Sequence, residues 1–99
     1  MAQHFLYIVI CADESLYTGY TTDPARRVME HNSGQGSRYT RTRRPVGLAY
    51  LEEERSRRKA MRREIQIKKM GRSSKLLLCH EWKAERLALA KEDGHSTGS

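Results

Sequence analysis

Only two cysteines, Cys11 and Cys79, occur in this 99-residue chain, and each stands in an apolar run. That argues against a disulfide framework or a cysteine metal site, and both read as small buried hydrophobes of a reducing compartment. No apolar stretch approaches the ~18 residues that span a bilayer, and the start lacks the basic segment and cleavage site of a signal peptide. The sequence therefore predicts a soluble, cytoplasmic protein with no membrane partner. Acidic residues are scarce where basic ones gather: residues 26–75 hold 16 of the 19 Lys and Arg but only 5 of the 12 Asp and Glu. A cationic stretch beside nearly charge-free N-terminal segments is the electrostatic footprint of a nucleic-acid binder, in which each neutralised phosphate releases counterions. The length and the 37% hydrophobic content fit one modest core. There is no internal repeat and no module that reads base sequence.

What is present reads as β-β-α-β-α-α. Residues 4–11 and 16–21 are short apolar runs rich in β-branched and aromatic types, separated by the polar Ala12-Asp13-Glu14-Ser15, which predicts an antiparallel hairpin. Alternation puts Phe5, Tyr7 and Val9 on one face of the first strand, and Tyr17 and Gly19 on one face of the second. Tyr7 and Tyr17 share a face only if paired residue numbers have an even sum, for example Cys11 opposite Ser15 and Tyr7 opposite Gly19. That register needs an odd-length loop or a bulge, and it leaves open space beside Tyr7 at Gly19. Asp23-Pro24 starts a helix that runs to about Asn32, with Asp as N-cap and Pro where its missing N–H costs nothing. On it Arg27 and His31 share a face, and Arg26 and Glu30 point elsewhere. Residues 33–45 show no apolar period and read as a basic loop. Val46 to Glu53 returns to strand character. Ser56 caps a helix stopped by Gly71, with Ala60, Met61, Glu64, Ile65 and Lys68 on its inner side. A last helical region, capped by Ser73 or Ser74, runs to about Lys91, with a break near His80 left open. The fold class expected is α+β, a small three-stranded antiparallel sheet flanked by helices, as one domain over 4–91 with a frayed tail at 92–99.

Phenols, a guanidinium and an imidazole brought together ahead of a cationic stretch suit a phosphodiester, since phosphate needs cations and an attacking water needs a base. Phe5-Leu6-Tyr7, Tyr17-Thr18-Gly19, Arg27, His31 and a Glu64 inside a later helix resemble, in order and spacing, the GIY-YIG nuclease superfamily, in particular its small stand-alone bacterial branch. The resemblance covers roughly residues 4–78. It implies the same small sheet with flanking helices and divalent-metal-dependent hydrolysis of a phosphodiester, with Mg²⁺ or Mn²⁺ as cofactor. Glu64 would hold the metal, Arg27 the scissile phosphate, and a tyrosine would activate or position the water, Tyr7 as general base and Tyr17 orienting water or phosphate. His31 would hydrogen-bond a tyrosine, shuttle a proton or contact phosphate. A phenol of pKa about 10 is only about 0.1% ionised at pH 7, so nearby cations and a metal-bound water are expected to lower it. Two positions depart from the family pattern: Phe5 replaces a glycine, and no Asn follows Glu64, the chain's one Asn being Asn32. Ser73 or Ser74 is the expected stand-in.

Arg38, Tyr39, Arg41, Arg43 and Arg44 combine phosphate-binding cations with one stacking surface, a pattern suited to single-stranded or distorted nucleic acid. Arg55, Arg57, Arg58, Lys59, Arg62 and Arg63 flank Glu64 along the helix and could track a backbone toward it, and Lys68 joins them as a nucleic-acid contact. The function expected is a metal-dependent endonuclease acting on structured or damaged DNA, with RNA left open and a protein partner supplying specificity. Its alternatives are a noncatalytic nucleic-acid-binding module and a cationic surface that docks an acidic partner.

Overall fold

The computed structural model describes residues 3–97, the last six through their backbone alone. The elements are β1 (His4–Ile10), β2 (Leu16–Thr21), α1 (Pro24–Asn32), a one-turn α2 (Arg38–Arg41), β3 (Gly47–Glu54), α3 (Arg57–Lys68) and α4 (Arg72–Thr97). The strands form one antiparallel sheet in the order β2-β1-β3. Thus β1, the most apolar segment, takes the centre, where Leu6, Tyr7, Ile8 and Val9 are all buried.

The hairpin has the even-sum register: Tyr7 pairs with Gly19, and Cys11 N–H donates to the Ser15 carbonyl at 2.8 Å across a three-residue loop. Glu14 takes φ 68° there, the left-handed residue that such a loop needs to match the strand twist. Between β1 and β3 the register slips after Ile8, so that Ile8 faces Tyr50 but Val9 faces Leu48. Ala49 is the extra residue. This bulge lets Leu48 and Leu51, three apart, pack on the same side as Tyr7 and Val9.

Two apolar layers result. On one face Leu6 and Ile8 meet Ala60 and Ile67 of α3, with Tyr20, Tyr50, Leu78 and Cys79 around them. On the other, Tyr7, Val9, Cys11 and Val46 pack with Tyr17 and Val28. Truncating a fully buried residue such as Ile8 to Ala costs about 2–5 kcal/mol.

Asp23 and Ser56 are the N-caps, bonding Arg26 N–H at 3.2 Å and Lys59 N–H at 3.1 Å, and Pro24 opens α1. Three local expectations are corrected. Residues 33–45 are not all loop: Ser37 caps α2 by accepting from Thr40 N–H. The inner side of α3 is Ala60 and Ile67 with Glu64 and Arg63 half-buried, whereas Met61 and Ile65 are 41% and 55% exposed. The helix stops at Lys68, before Gly71, and Ser73 and Ser74 lie inside α4, exposed, rather than capping it. The last helix, α4, runs unbroken past His80, the point the sequence left open, to Thr97, and residues 98 and 99 lie outside the described residues. Among the described residues no helix is long and apolar enough to cross a membrane.

Candidate active site

Tyr7 leaves the central strand on the face covered by α1 and α2 and runs across Gly19. A Cβ at position 19 would lie 2.5 Å from Tyr7 Cζ and closer still to its hydroxyl, so only glycine admits the ring. The residue is 1% exposed, and its oxygen sits 2.7 Å from His31 Nε2 and 3.3 Å from Arg27 Nε. Both partners come from α1, four residues apart and on one face. The Asp23-Pro24 start sets the helix phase that aims them at the sheet.

Arg27 is held on three sides, by Tyr7, by Glu30 at 3.0 Å and by the Gly36 carbonyl at 2.9 Å. Glu30 therefore does not point away from Arg27, as helical spacing suggested; at i+3 its carboxylate bridges Arg27 and Arg26. A guanidinium has five N–H groups, so two remain for an anionic ligand, one on each terminal nitrogen.

His31 is fully buried, and its second nitrogen, Nδ1, lies 2.7 Å from Thr40 Oγ1 on α2. Gly36 covers the imidazole closely: a Cβ there would stand 2.6 Å from His31 Cγ. Tyr17, half-buried, presents its ring at 5.3 Å from His31 and 6.5 Å from Tyr7. Outside it Tyr39 stacks at 5.9 Å, with the Arg43 guanidinium 3.9 Å over the Tyr39 ring.

Electrostatics overturns one expectation. Tyr7 is pushed up to about 12, because burial outweighs the hydrogen bond and charge of Arg27, and the Tyr17 and Glu64 charges add to the rise. The cations do not produce a resting phenolate. His31 moves the other way: burial first, then the Arg27 charge, lowers its pKa against the pull of Glu30, so the imidazole is neutral at neutral pH. The buried pair is phenol and imidazole, both uncharged.

Glu64 projects from α3 with its side chain 15% exposed, ion-paired to Lys68 at 3.2 Å, and its charge is felt at Tyr7. Among the described residues no three His, Cys, Asp or Glu cluster as a metal cage. A single hard carboxylate suits a hard divalent cation that completes its shell with phosphate oxygens and water, and such a cation would displace Lys68. Phe5 shares the Tyr7 face but lies half-buried at the sheet's end, between Thr21 and Glu53, two residues from the phenol.

The residues expected to grip nucleic acid divide. Arg38, Arg41, Arg58, Lys59 and Arg62 are exposed. Arg43 and Arg44 are engaged within the chain. Arg43 pairs with Asp13 at 3.1 Å and donates to the Tyr39 carbonyl, while Arg44 donates to the carbonyls of Arg41 and Asn32. Those contacts tie α2 to the hairpin loop and to the end of α1. Tyr39, 38% exposed, spends its ring on Tyr17 and Arg43, and Lys68 is committed to Glu64. Thr40, Gly36 and Glu30 escaped the sequence reading. For Thr40 the usable signal was Ser37 three residues earlier, a capping spacing.

Residues 3–76 match the GIY-YIG catalytic domain family. A UPF0213 protein of Staphylococcus haemolyticus is 53% identical over 81 residues, 82% of this chain and 99% of its own length. A UPF0213 protein of the archaeon Natronomonas pharaonis is 51% identical over 74 residues, 75% of this chain and 87% of its own. Among solved structures, the solution NMR structure of a UPF0213 protein from Bacillus halodurans is 45% identical with TM-score 0.50, covering 77% of this chain and 81% of that one. A second NMR structure, of an E. faecalis protein, is 38% identical with TM-score 0.55 and covers 88% of this chain and 90% of that one.

Proposed function

The chain belongs to the GIY-YIG family, a nuclease superfamily with nucleic-acid substrates, and from that premise and the geometry above we propose that it is a divalent-metal-dependent endonuclease. Its substrate is the phosphodiester of structured or damaged DNA. The single observation that supports this reading is the Tyr7 oxygen held between Arg27 Nε–H and His31 Nε2.

The raised Tyr7 pKa dictates how that group works. Ionising a phenol of pKa about 12 at pH 7 costs about 7 kcal/mol, too much for a base that must first exist as free phenolate. A relay avoids that cost: Tyr7 passes its proton to His31 Nε2 as it takes one from the attacking water, whose oxygen bonds phosphorus while the bond from phosphorus to the leaving sugar oxygen breaks, and that oxygen departs with the electron pair and takes a proton from solvent. Arg27 holds the phosphate with its two remaining N–H groups and steadies the Tyr7 oxygen through Nε. Tyr17, more open than Tyr7, orients the water or the phosphate. Glu64 would hold the Mg²⁺ or Mn²⁺, which when bound offsets charge on the phosphate and leaving oxygen. Arg38, Arg41, Arg58, Lys59 and Arg62 supply sequence-independent backbone contacts. The working unit is residues 4–91, with 92–99 as a tail, and a protein partner supplies the specificity that five scattered cations do not.

The test is pure protein with labelled duplex, flap, branched and single-stranded DNA, and the matching RNAs, in Mg²⁺ or Mn²⁺. Cleavage lost in Glu64→Ala supports the reading; no cleavage of any substrate, or equal cleavage by the variant, refutes it. The Glu64–Lys68 ion pair favours one second reading, a binding module without turnover. That reading is distinguished by salt-dependent DNA binding with no metal-dependent product.

A further inference from the structure

We infer that Thr40 is a positioning residue that fixes the tautomer of His31, holding the proton on Nδ1 so that Nε2 faces Tyr7 as an acceptor. The inference comes from counting protons in a closed chain of contacts. Arg27 Nε, 3.3 Å from the Tyr7 oxygen, is always a donor. Tyr7 has one proton of its own, and its oxygen has one further partner among the described residues, His31 Nε2 at 2.7 Å. If Nε2 carried the imidazole proton, the Tyr7 oxygen would receive two donors, and its own proton would have no acceptor among the described residues. Stranding a buried donor is costly, so Tyr7 donates and Nε2 accepts.

A neutral imidazole then carries its proton on Nδ1, and the partner there is Thr40 Oγ1 at 2.7 Å. Thr40 is fully buried, so no water competes for that nitrogen. The hydroxyl disposes of its own proton locally: Ser37 Oγ lies 2.9 Å away and the Ser37 carbonyl 3.4 Å. Ser37 is itself fixed as the cap of α2 through Thr40 N–H. The one-turn helix thereby anchors an acceptor whose direction the rest of the site requires. If His31 takes up a second proton on Nε2, Thr40 still accepts from Nδ1, so the orientation survives the transfer. The second nitrogen of a histidine sets what the first can do.

The tautomer stands on hydrogen-bond accounting alone; only its consequence for turnover rests on the nuclease reading. The experiment is long-range ¹H–¹⁵N NMR of the imidazoles in the full chain at neutral pH, on wild type, Thr40→Ser and Thr40→Val, with amide fingerprints to verify folding. Expected are an Nδ1–H tautomer for His31 in wild type and Thr40→Ser, and loss of that single tautomer in Thr40→Val, where the methyl offers Nδ1 no acceptor and one buried donor is stranded whichever nitrogen holds the proton. An Nε2–H tautomer in the wild type overturns the inference by itself, whether or not a variant folds. A folded Thr40→Val that keeps Nδ1–H overturns it as well. In the cleavage assay Thr40→Val loses roughly 10- to 100-fold in kcat with KM unchanged, the scale of orienting partners of histidine, and Thr40→Ser restores it. If the tautomer result holds while wild type cleaves nothing, the nuclease reading has failed and the role of Thr40 stands.

Discussion

Replacing Gly19 with alanine puts one methyl group where Tyr7 already is. The added Cβ would lie 2.5 Å from Tyr7 Cζ and 2.8 Å from Cε2, both well inside van der Waals contact. Tyr7 cannot step aside freely: it is 1% exposed, sits on the central strand and is bonded to His31 and Arg27. Overpacking of this kind costs about 1–3 kcal/mol. If relief pulls the hydroxyl off His31, the broken buried hydrogen bond adds about 1–3 kcal/mol. With both costs together we expect a destabilisation of about 2–6 kcal/mol, read as a fall in the urea midpoint at unchanged slope. Gly47→Ala is the control, because nothing lies within 4 Å of a Cβ there, and it should move stability by no more than about 0.5 kcal/mol. A Gly19→Ala protein within 0.5 kcal/mol of wild type, with the Tyr7–His31 contact intact by NMR, would refute the claim that position 19 exists to admit the phenol.

Other outcomes follow from the same geometry. Because the folded-state pKa of His31 is lowered, the unfolded chain binds its proton first as pH falls below about 6.5. Urea midpoints should therefore decline between pH 7.5 and 5.5, and His31→Gln should flatten that decline. Tyr7, raised to about 12, acts at the other end: stability should fall as pH rises from about 10 toward 12, and spectrophotometric titration of Tyr7→Phe should lack one late ionisation. Arg43→Ala removes the Asp13 ion pair and the guanidinium over Tyr39, and should cost about 1 kcal/mol of stability. By contrast Arg41→Ala, at an exposed site, should leave the urea midpoint alone. It should weaken DNA binding and lower the salt slope by about one, measured by fluorescence anisotropy across salt concentrations.

Much of the scaffold was legible because it follows from local rules. The even-sum register, the odd loop and the space at Gly19 follow from strand alternation and one glycine, and Asp23-Pro24 and Ser56 declare their helix starts. What escaped depends on closure of the whole fold. Arg43 and Arg44 look like free cations in a loop; only the meeting of α2 with the hairpin and the end of α1 brings carbonyls and Asp13 within their reach. The one-turn α2 carries no apolar period, and the burial of Thr40 against His31, not propensity, holds it in place. On α3 the spacing admitted two neighbouring stripes, and the sheet buries Ala60 and Ile67 rather than Met61 and Ile65. Tyr7, Arg27 and His31 were foreseeable as neighbours. The sign of the Tyr7 shift was not, because burial, invisible in a motif, outweighs the nearby charges.

The most direct measurement is metal-dependent cleavage of the labelled DNA panel by Tyr7→Phe beside wild type, after both are shown to fold alike. That substitution removes one oxygen and leaves the ring over Gly19. If Tyr7 relays the water's proton to His31, wild type cleaves in Mg²⁺ or Mn²⁺ and Tyr7→Phe is slower by about 10²–10⁴-fold. Equal rates for the two proteins would contradict the account.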